Sequence, residues 1–377
     1  METLKKKNIL FISSWYPNKL ELTNGNFVQR HAEAVSMLHH VEVLHSIGDF
    51  NQREKFIFDD KIINGIRTLI VYYKNTKNPV LNFIRRMKAY SLGFKKMNKP
   101  DLVHANVHHN SMMFAVYLKK RFKIPFVITE HWTALRKINE NKTSKGIKMT
   151  ARTIGNHASK ILPVSKDLAS GLRNLGMRTS MKVIPNVVDT SLFSPKKTEN
   201  KEFTFIHVSN LIPRKNPEKI LNVALKLLEK GYVFRLQIGG DGDISKIKDI
   251  AKKSDYQDKI EIFGIQTLPE IADRMRRSDC FILFSDDENQ PCVIAEAFAS
   301  GIKVISTNVG GISEFFPENA GILLDSVDEN LLEAAMIHLL ENKDSDSEFL
   351  VNYANSVFSE KTIAEEYSKI YSEVLEK

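Results

Sequence analysis

The chain of 377 residues is long for one hydrophobic core and suits two domains of ordinary size. With 42% hydrophobic and 26% charged residues it reads as a folded globular protein, and its two cysteines are too few for a disulfide framework. The net charge of +9 is unevenly spread: residues 1–195 hold 32 Lys+Arg against 13 Asp+Glu, and the remainder holds 22 against 32.

Cys280 and Cys292 lie in apolar stretches, as buried thiols in a reducing compartment do. The apolar run Ile9 to Ile12 behind Lys5, Lys6 and Lys7 is too short for a signal peptide. No stretch approaches the roughly 20 apolar residues of a membrane-spanning helix, so a cytosolic protein is expected. The basic half points to an anionic partner (a membrane surface, a phosphorylated acceptor or nucleic acid), or to a solvated basic surface and nothing more.

In chain order, Asn8 to Ser13 predicts a buried strand, and Trp15 to Asn26, with Pro17, Asn24 and Gly25, a turn-rich stretch. Residues 27–38 have helical spacing, with Phe27, Ala34, Val35 and Leu38 on one face. Val41–Leu44, Leu102–His104, Phe126–Thr129 and Ile161–Val164 read as further strands separated by helical patterns. Between them, Pro79 to Lys99 carries Leu81, Phe83, Ile84, Met87, Tyr90 and Phe94 beside Arg85, Arg86, Lys88, Lys95, Lys96 and Lys99. That pattern fits a core-facing helix whose basic outer face can meet lipid headgroups.

Asp189 to Asn200 reads as the boundary, and the pattern restarts with a strand at Phe203–Val208 and a helix from Pro217 to Lys230, stopped by Gly231. Strands follow at Phe234–Ile238, Ile260–Phe263, Cys280–Phe284 and Lys303–Ser306, and an amphipathic helix spans Ser359 to Leu375. Strands alternating with helices imply an α/β fold of two doubly wound, parallel, Rossmann-like sheets. Residues 1–195, completed by the helix at 359–377, form one expected domain, and 196–358 the other. Ligands of such sheets gather at the carboxyl ends of the strands, so two of them in succession suggest a cleft enzyme.

The sharpest constellation begins at Cys280, where a strand runs into the acidic loop Ser285 to Gln290, then Pro291, then an Ala-rich helix ending at Gly301. A helix N-terminus offers free N–H groups and a partial positive charge to a phosphate. Glu288 precedes it and can accept hydrogen bonds from sugar hydroxyls; Glu296 lies inside, where a carboxylate can grip a ribose diol. Two solvated glutamates are the bland alternative, though Glu296 sits among Ile294, Ala295, Ala297 and Phe298. A second constellation, Ser209 to Pro217, places Arg214 and Lys215 after the first strand of this half, where two adjacent cations suit a diphosphate.

Glu288 and Glu296, seven residues apart between a strand and an Ala-rich helix, resemble glycosyltransferase family 4, whose members have the GT-B fold of two lobes facing across a cleft. Pro185 to Phe193, Phe263-Gly264, Gly310-Gly311 with Glu314, Pro100-Asp101, and Thr129 to Trp132 resemble further stretches of that family in the same order. The resemblance implies a retaining transfer from a nucleotide-sugar donor to a glycan or lipid-linked acceptor; no cofactor is expected, and no metal, since His39-His40 and His108-His109 are adjacent pairs, not ligand-spaced sets. The resemblance makes Lys215 a diphosphate ligand, puts Gly264 near the donor base, and sets Asn289, Pro291, Cys292 and Val293 about the sugar, which the N–H groups of the other three orient around Pro291. It sets His131 near the transferred sugar, although a lone histidine is more often structural. Thr23 to Asn26, with Gly25 and Asn26, becomes the loop over the donor phosphate. Many relatives have arginine where this chain has Asn210, which leaves Arg214 as the substitute.

Two other classes fit less well. A dinucleotide-dependent oxidoreductase would need G-x-G-x-x-G after the first strand, where Ser13 to Pro17 stands instead, and Gly239-Gly240-Asp241-Gly242 is too brief. A protein binding nucleic acid or membrane through the basic half lacks a recognisable nucleic-acid motif. Synthesis of a cell-surface polysaccharide, a lipopolysaccharide or a lipid-linked oligosaccharide would each suit the basic half, with the expected protein cytoplasmic, peripheral on the cytoplasmic face of the membrane and without a nucleic-acid partner.

Overall fold

A computed structural model describes residues 5–195, 202–342 and 346–376. The chain forms two compact units, Met1–Val187 with Glu360–Lys377, and Val188–Ser359.

The first unit runs β1 (Asn8–Ser13), α1 (Asn26–Ser36), β2 (His40–Asp49), β3 (Phe56–Ile63), β4 (Ile66–Lys74), α2 (Pro79–Phe94), β5 (Leu102–Asn106), α3 (Met113–Phe122), β6 (Phe126–Glu130), α4 (Lys145–His157), β7 (Lys160–Pro163) and α5 (Lys166–Asn174). Its strands lie in the order β3-β4-β2-β1-β5-β6-β7. All pairings are parallel except β3 with β4. That hairpin turns on Asn64-Gly65, both with positive φ, as a two-residue loop requires.

Successive side chains of β1 serve opposite faces. Leu10 and Ile12 join one buried cluster, Ile9 and Phe11 the other. A strand apolar on both sides must be covered on both, which is why the sheet is doubly wound.

The second unit runs β8 (Thr204–Ser209), α6 (Pro217–Glu229), β9 (Arg235–Gly240), α7 (Ser245–Lys252), β10 (Ile260–Phe263), α8 (Leu268–Arg276), β11 (Cys280–Leu283), α9 (Cys292–Ala299), β12 (Lys303–Thr307), β13 (Gly321–Leu324), α10 (Glu329–Glu341) and α11 (Ser347–Phe358). Its six strands are all parallel, in the order β10-β9-β8-β11-β12-β13. Phe205, Cys280 and Ile282 serve one core and Ile206, Phe281 and Leu283 the other. Burial pushes the Cys280 thiol far above its ordinary range, so it packs as a small apolar group.

The units part earlier than residue 195. Val188 and Phe193 are buried in the second unit's core, and Arg276 donates to the Leu192 carbonyl at 2.9 Å. Residues 189–195 therefore belong to the second unit, a correction to the expected boundary; residues 196–200 of that stretch lie outside the described residues. The chain enters and leaves this unit side by side, Val188 N–H donating to Phe358 O at 2.9 Å. The helix α12 (Glu360–Leu375) belongs to the first unit and buries Ile363, Tyr367, Ile370 and Tyr371 against it. Among the described residues no helix is long and apolar enough to cross a membrane.

Candidate active site

In the second unit the loops that leave adjacent strands β8 and β11 are fastened together. Arg214 Nη1 donates to the Asp287 carbonyl at 2.6 Å, and Asp286 N–H to the Arg214 carbonyl at 2.8 Å. The Asn216 amide spans the same gap, donating to Phe284 O at 3.0 Å. This fastening brings Lys215 Nζ onto Glu288 Oε1, and both side chains are buried. Removing two charges from water is costly unless they meet, so neither loop keeps this conformation cheaply without the other.

The β8 loop itself is strained. Leu211 has φ 52, a region bulky residues avoid. Its amide donates to Ser209 Oγ at 3.0 Å, and that hydroxyl pairs with His207 Nε2 at 2.8 Å. Burial holds the His207 imidazole down to about 4, so the ring is neutral. Gly240 and Gly242 make room for the turn: a Cβ on either would collide with the Ser209 or Asn210 carbonyl oxygen. The Gly239-Gly240-Asp241-Gly242 segment is thus a packing device for the neighbouring loop. Asn210 is exposed, and Arg214 and Lys215 lie further along the same loop.

The helix α9 starts one residue later than Pro291, which is its N-cap. It ends in paired bonds, Gly301 N–H to Phe298 O and Ile302 N–H to Ala297 O, with Gly301 at φ 70. Cys292 and Val293 form its first turn and are partly exposed; Glu296 lies further in and is buried. The loop before it, with Asn289 and Gln290 buried, is tied to the next strand's loop by Gly311 N–H donating to Asn289 O at 3.0 Å. Gly264 follows β10, and a Cβ there would meet nothing closer than Ile244 Cδ1 at 3.9 Å. Space beside this glycine is unfilled by protein.

In the first unit, His131 follows β6. Glu130 fixes the turn: its Oε1 accepts from the amides of His131 at 2.8 Å and Trp132 at 2.6 Å, while Oε2 accepts from the His108 amide at 2.6 Å and lies 2.5 Å from His108 Nδ1. Burial holds the His131 imidazole well below the ordinary histidine value, and His31 and His104 nearby add to this. A neutral ring can exchange hydrogen bonds with a sugar hydroxyl but brings no positive charge. The Phe27 ring lies 4.3 Å away. Gly25, the N-cap of α1 at φ 80, packs its backbone on the Trp15–Tyr16 peptide, so its close approach is to its own chain. Asn26, the first residue of α1, is exposed.

Sequence reasoning missed several residues. Trp15, His109 and Trp132 come together although they stand in three separate loops. A buried chain of hydrogen bonds runs from Tyr371 through His104, Thr129 and Tyr367 to His31, and only the topology assembles it. The helix α2 packs through Ala89 and Tyr90, while Val80 and Ile84 at its start are exposed. Among the described residues no group of three His, Cys, Asp or Glu side chains is placed to hold a metal ion.

Two successive Rossmann-like units of this topology define the GT-B fold. HepE from Anabaena, solved with UDP and glucose, superposes with a TM-score of 0.75 at 16% identity, over 97% of this chain and 99% of that one. The chain belongs to the group 1 and family 4 glycosyltransferases: the profile "Glycosyl transferases group 1" matches residues 189–356 and the profile "Glycosyltransferase Family 4" matches residues 25–192. One component of human phosphatidylinositol N-acetylglucosaminyltransferase is 28% identical over 199 residues, 52% of this chain and 41% of that protein. The chain thus aligns with less than half the length of that relative. TuaC of Bacillus subtilis, named for a glycosyltransferase of teichuronic acid biosynthesis, is 23% identical over 84% of this chain and 85% of its own.

Proposed function

We propose that the chain transfers a sugar, with retention of configuration, from a nucleoside-diphosphate sugar to a glycan or lipid-linked acceptor in the synthesis of a cell-surface polysaccharide or glycolipid. The observation that carries this reading is the gathering of Arg214, Lys215 and Glu288 at the carboxyl ends of β8 and β11, with Glu296 on the helix that follows. Family membership supports it, as do the names of the relatives and the UDP and glucose bound by HepE.

In this reading Glu296 accepts both ribose hydroxyls and the nucleobase lies beside Gly264. Lys215 and Arg214 neutralise the diphosphate as its charge grows, which stabilises the transition state and leaves no step that calls for a metal. Arg214 does the work of the arginine that relatives carry in place of Asn210. Glu288 and the backbone N–H groups of residues 289, 290, 292 and 293, around Pro291, orient the sugar. The acceptor oxygen bonds to the anomeric carbon on the face from which the diphosphate leaves, and the acceptor proton passes to the departing phosphate oxygen. In the first unit, His131 is offered as a neutral hydrogen-bonding group for a sugar and Asn26 as the exposed residue of its turn. The exposed start of α2, with Val80 and Ile84 next to Arg85 and Lys88, lies against anionic headgroups on the cytoplasmic side.

Calorimetry with UDP-, GDP- and ADP-sugars tests this on wild type and Glu296→Ala. One donor should bind and the variant should lose it. A folded wild type that binds none of them overturns the reading.

A further inference from the structure

The first unit carries an aromatic surface whose composition specifies what it holds. Strands β1, β5 and β6 are neighbours, so their carboxyl ends deliver three loops to one edge of the sheet. Ser14 and Trp15 come from the first, His109, Asn110 and Ser111 from the second, and Trp132 from the third. The Trp15 and Trp132 rings meet edge to face at 6.0 Å, and His109 stands 6.3 Å from Trp132. Both indoles are only partly buried, and neither indole N–H has a hydrogen-bond acceptor among the described residues. The loops are rigidly placed beneath them. Glu130 fixes the Trp132 amide, Ser13 Oγ accepts from the Trp15 amide at 3.1 Å, and Ser14 Oγ lies 2.7 Å from Ser111 Oγ.

Two adjoining aromatic rings left partly open and held by buried anchors form a patch of the kind that marks a binding surface. The face of an indole is electron-rich, so it attracts the weakly positive C–H groups on one side of a pyranose ring, while a free indole N–H can donate to a hydroxyl.

Arg86 of α2 borders this surface. Its Nη1 donates to Asn110 Oδ1 at 3.0 Å and its Nε to the Tyr73 hydroxyl at 3.1 Å. No carboxylate pairs with it among the described residues, and its Nη2 has no partner there. Burial, and then the nearby guanidinium, hold the His109 imidazole down to about 4. With His109 neutral, Arg86 is a positive charge fixed beside this surface, presenting a spare N–H group.

We infer that the acceptor is an anionic glycan: a sugar ring stacks on Trp15 and Trp132 while its acidic substituent, carboxylate or phosphate, pairs with Arg86. This rests on the glycosyltransferase reading and names the acceptor class for it.

The chain has two tryptophans, both in this surface, so its intrinsic emission reports on this one place. The full-length protein is titrated without donor against cellobiouronic acid, cellobiose and glucose 1-phosphate. A saturable change in emission is expected with the acidic probes, at least about tenfold weaker with neutral cellobiose. A stronger response to the uronide identifies a carboxylate as the charged group, and a stronger response to the sugar phosphate identifies a phosphate. Arg86→Gln should abolish the preference for charge and keep the response to cellobiose. Trp132→Phe, which retains a ring and the packing, should weaken binding of all three probes while the Trp15 emission still reports. Glu296→Ala should leave the titrations unchanged, which separates this surface from the donor site. If a donor binds by calorimetry but no probe alters the emission, the acceptor assignment falls and the enzyme reading stands. If cellobiose binds as tightly as the acidic probes, the assignment to an anionic glycan is overturned.

Discussion

The ammonium of Lys215 rests on a carboxylate oxygen of Glu288, a residue 73 positions further along the chain. Strands β8 and β11 are far apart in sequence but adjacent in the sheet, which brings their loops together. The pair therefore couples the two groups to which the proposed function gives separate tasks, the diphosphate for one and the sugar for the other. On that proposal, a diphosphate that binds has to share or take over the ammonium.

Removing one member leaves the other buried and charged. Lys215→Met and Glu288→Gln should each cost about 3 kcal/mol of stability, and the double variant clearly less than the sum. Urea unfolding of the four proteins checks this; additive losses would show that the pair is not coupled.

Glycines 240 and 264 should respond oppositely to the same substitution. Gly240→Ala forces a Cβ into the Ser209 carbonyl oxygen at a φ of 145, so the protein should lose at least about 2 kcal/mol and the β8 loop its position. Gly264→Ala has room, so stability should stay within about 0.5 kcal/mol while donor affinity falls roughly tenfold. Thermal melts combined with donor calorimetry distinguish the two; an unstable Gly264→Ala would contradict the open space beside it.

Stability should fall on mild acidification. Burial holds His31 down to about 3, and His45 and His207 to about 4, against an ordinary 6.5. Between those values the unfolded chain binds protons that the folded chain refuses. Stability is therefore complete above about pH 7 and lost as pH falls from 6.5 toward 4, each ring contributing up to about 1.4 kcal/mol per pH unit. Urea midpoints at about pH 5 and 7 test the slope, and His207→Gln should reduce it by one proton. An equal midpoint at both values rules the account out.

Tyr367 links α12 to the body of the first unit, its hydroxyl lying 3.1 Å from His31 Nδ1 and 3.2 Å from Thr129 Oγ1. Tyr367→Phe keeps the ring and should cost about 1–2 kcal/mol through the partners it strands. Hydrogen exchange should then rise first along α12. Unchanged protection there would mean the network does not hold the helix.

How far the sequence could be read depended on the range of each signal. The strand at Cys280 and helix α9 were legible because an apolar run, Pro291 and Gly301 lie within about twenty residues of one another. The β3–β4 hairpin was passed over although Asn64-Gly65, set between the two largely apolar runs Phe56–Ile63 and Ile66–Lys74, announces a tight turn. Glu288 and Lys215 each stand out in the sequence, but their mutual contact was invisible, because strand order decides it. The same holds for Trp15 and Trp132, unremarkable loop aromatics until β1, β5 and β6 stand side by side. Gly25 suggests room for a ligand, and the fold uses that room for the Trp15–Tyr16 peptide.

The return of α12 to the first unit has a bearing on how the protein is made. A ribosome finishes Val188–Ser359 while the groove meant for Ile363, Tyr367, Ile370 and Tyr371 still lacks its occupant. The inner unit can close as soon as it emerges, whereas the outer one, begun first, must wait with an apolar seam open until the last turns of helix arrive. Chaperone capture of nascent chains should accordingly persist until α12 has cleared the exit tunnel, and this segment is where premature termination would do its damage to a unit started more than three hundred residues earlier.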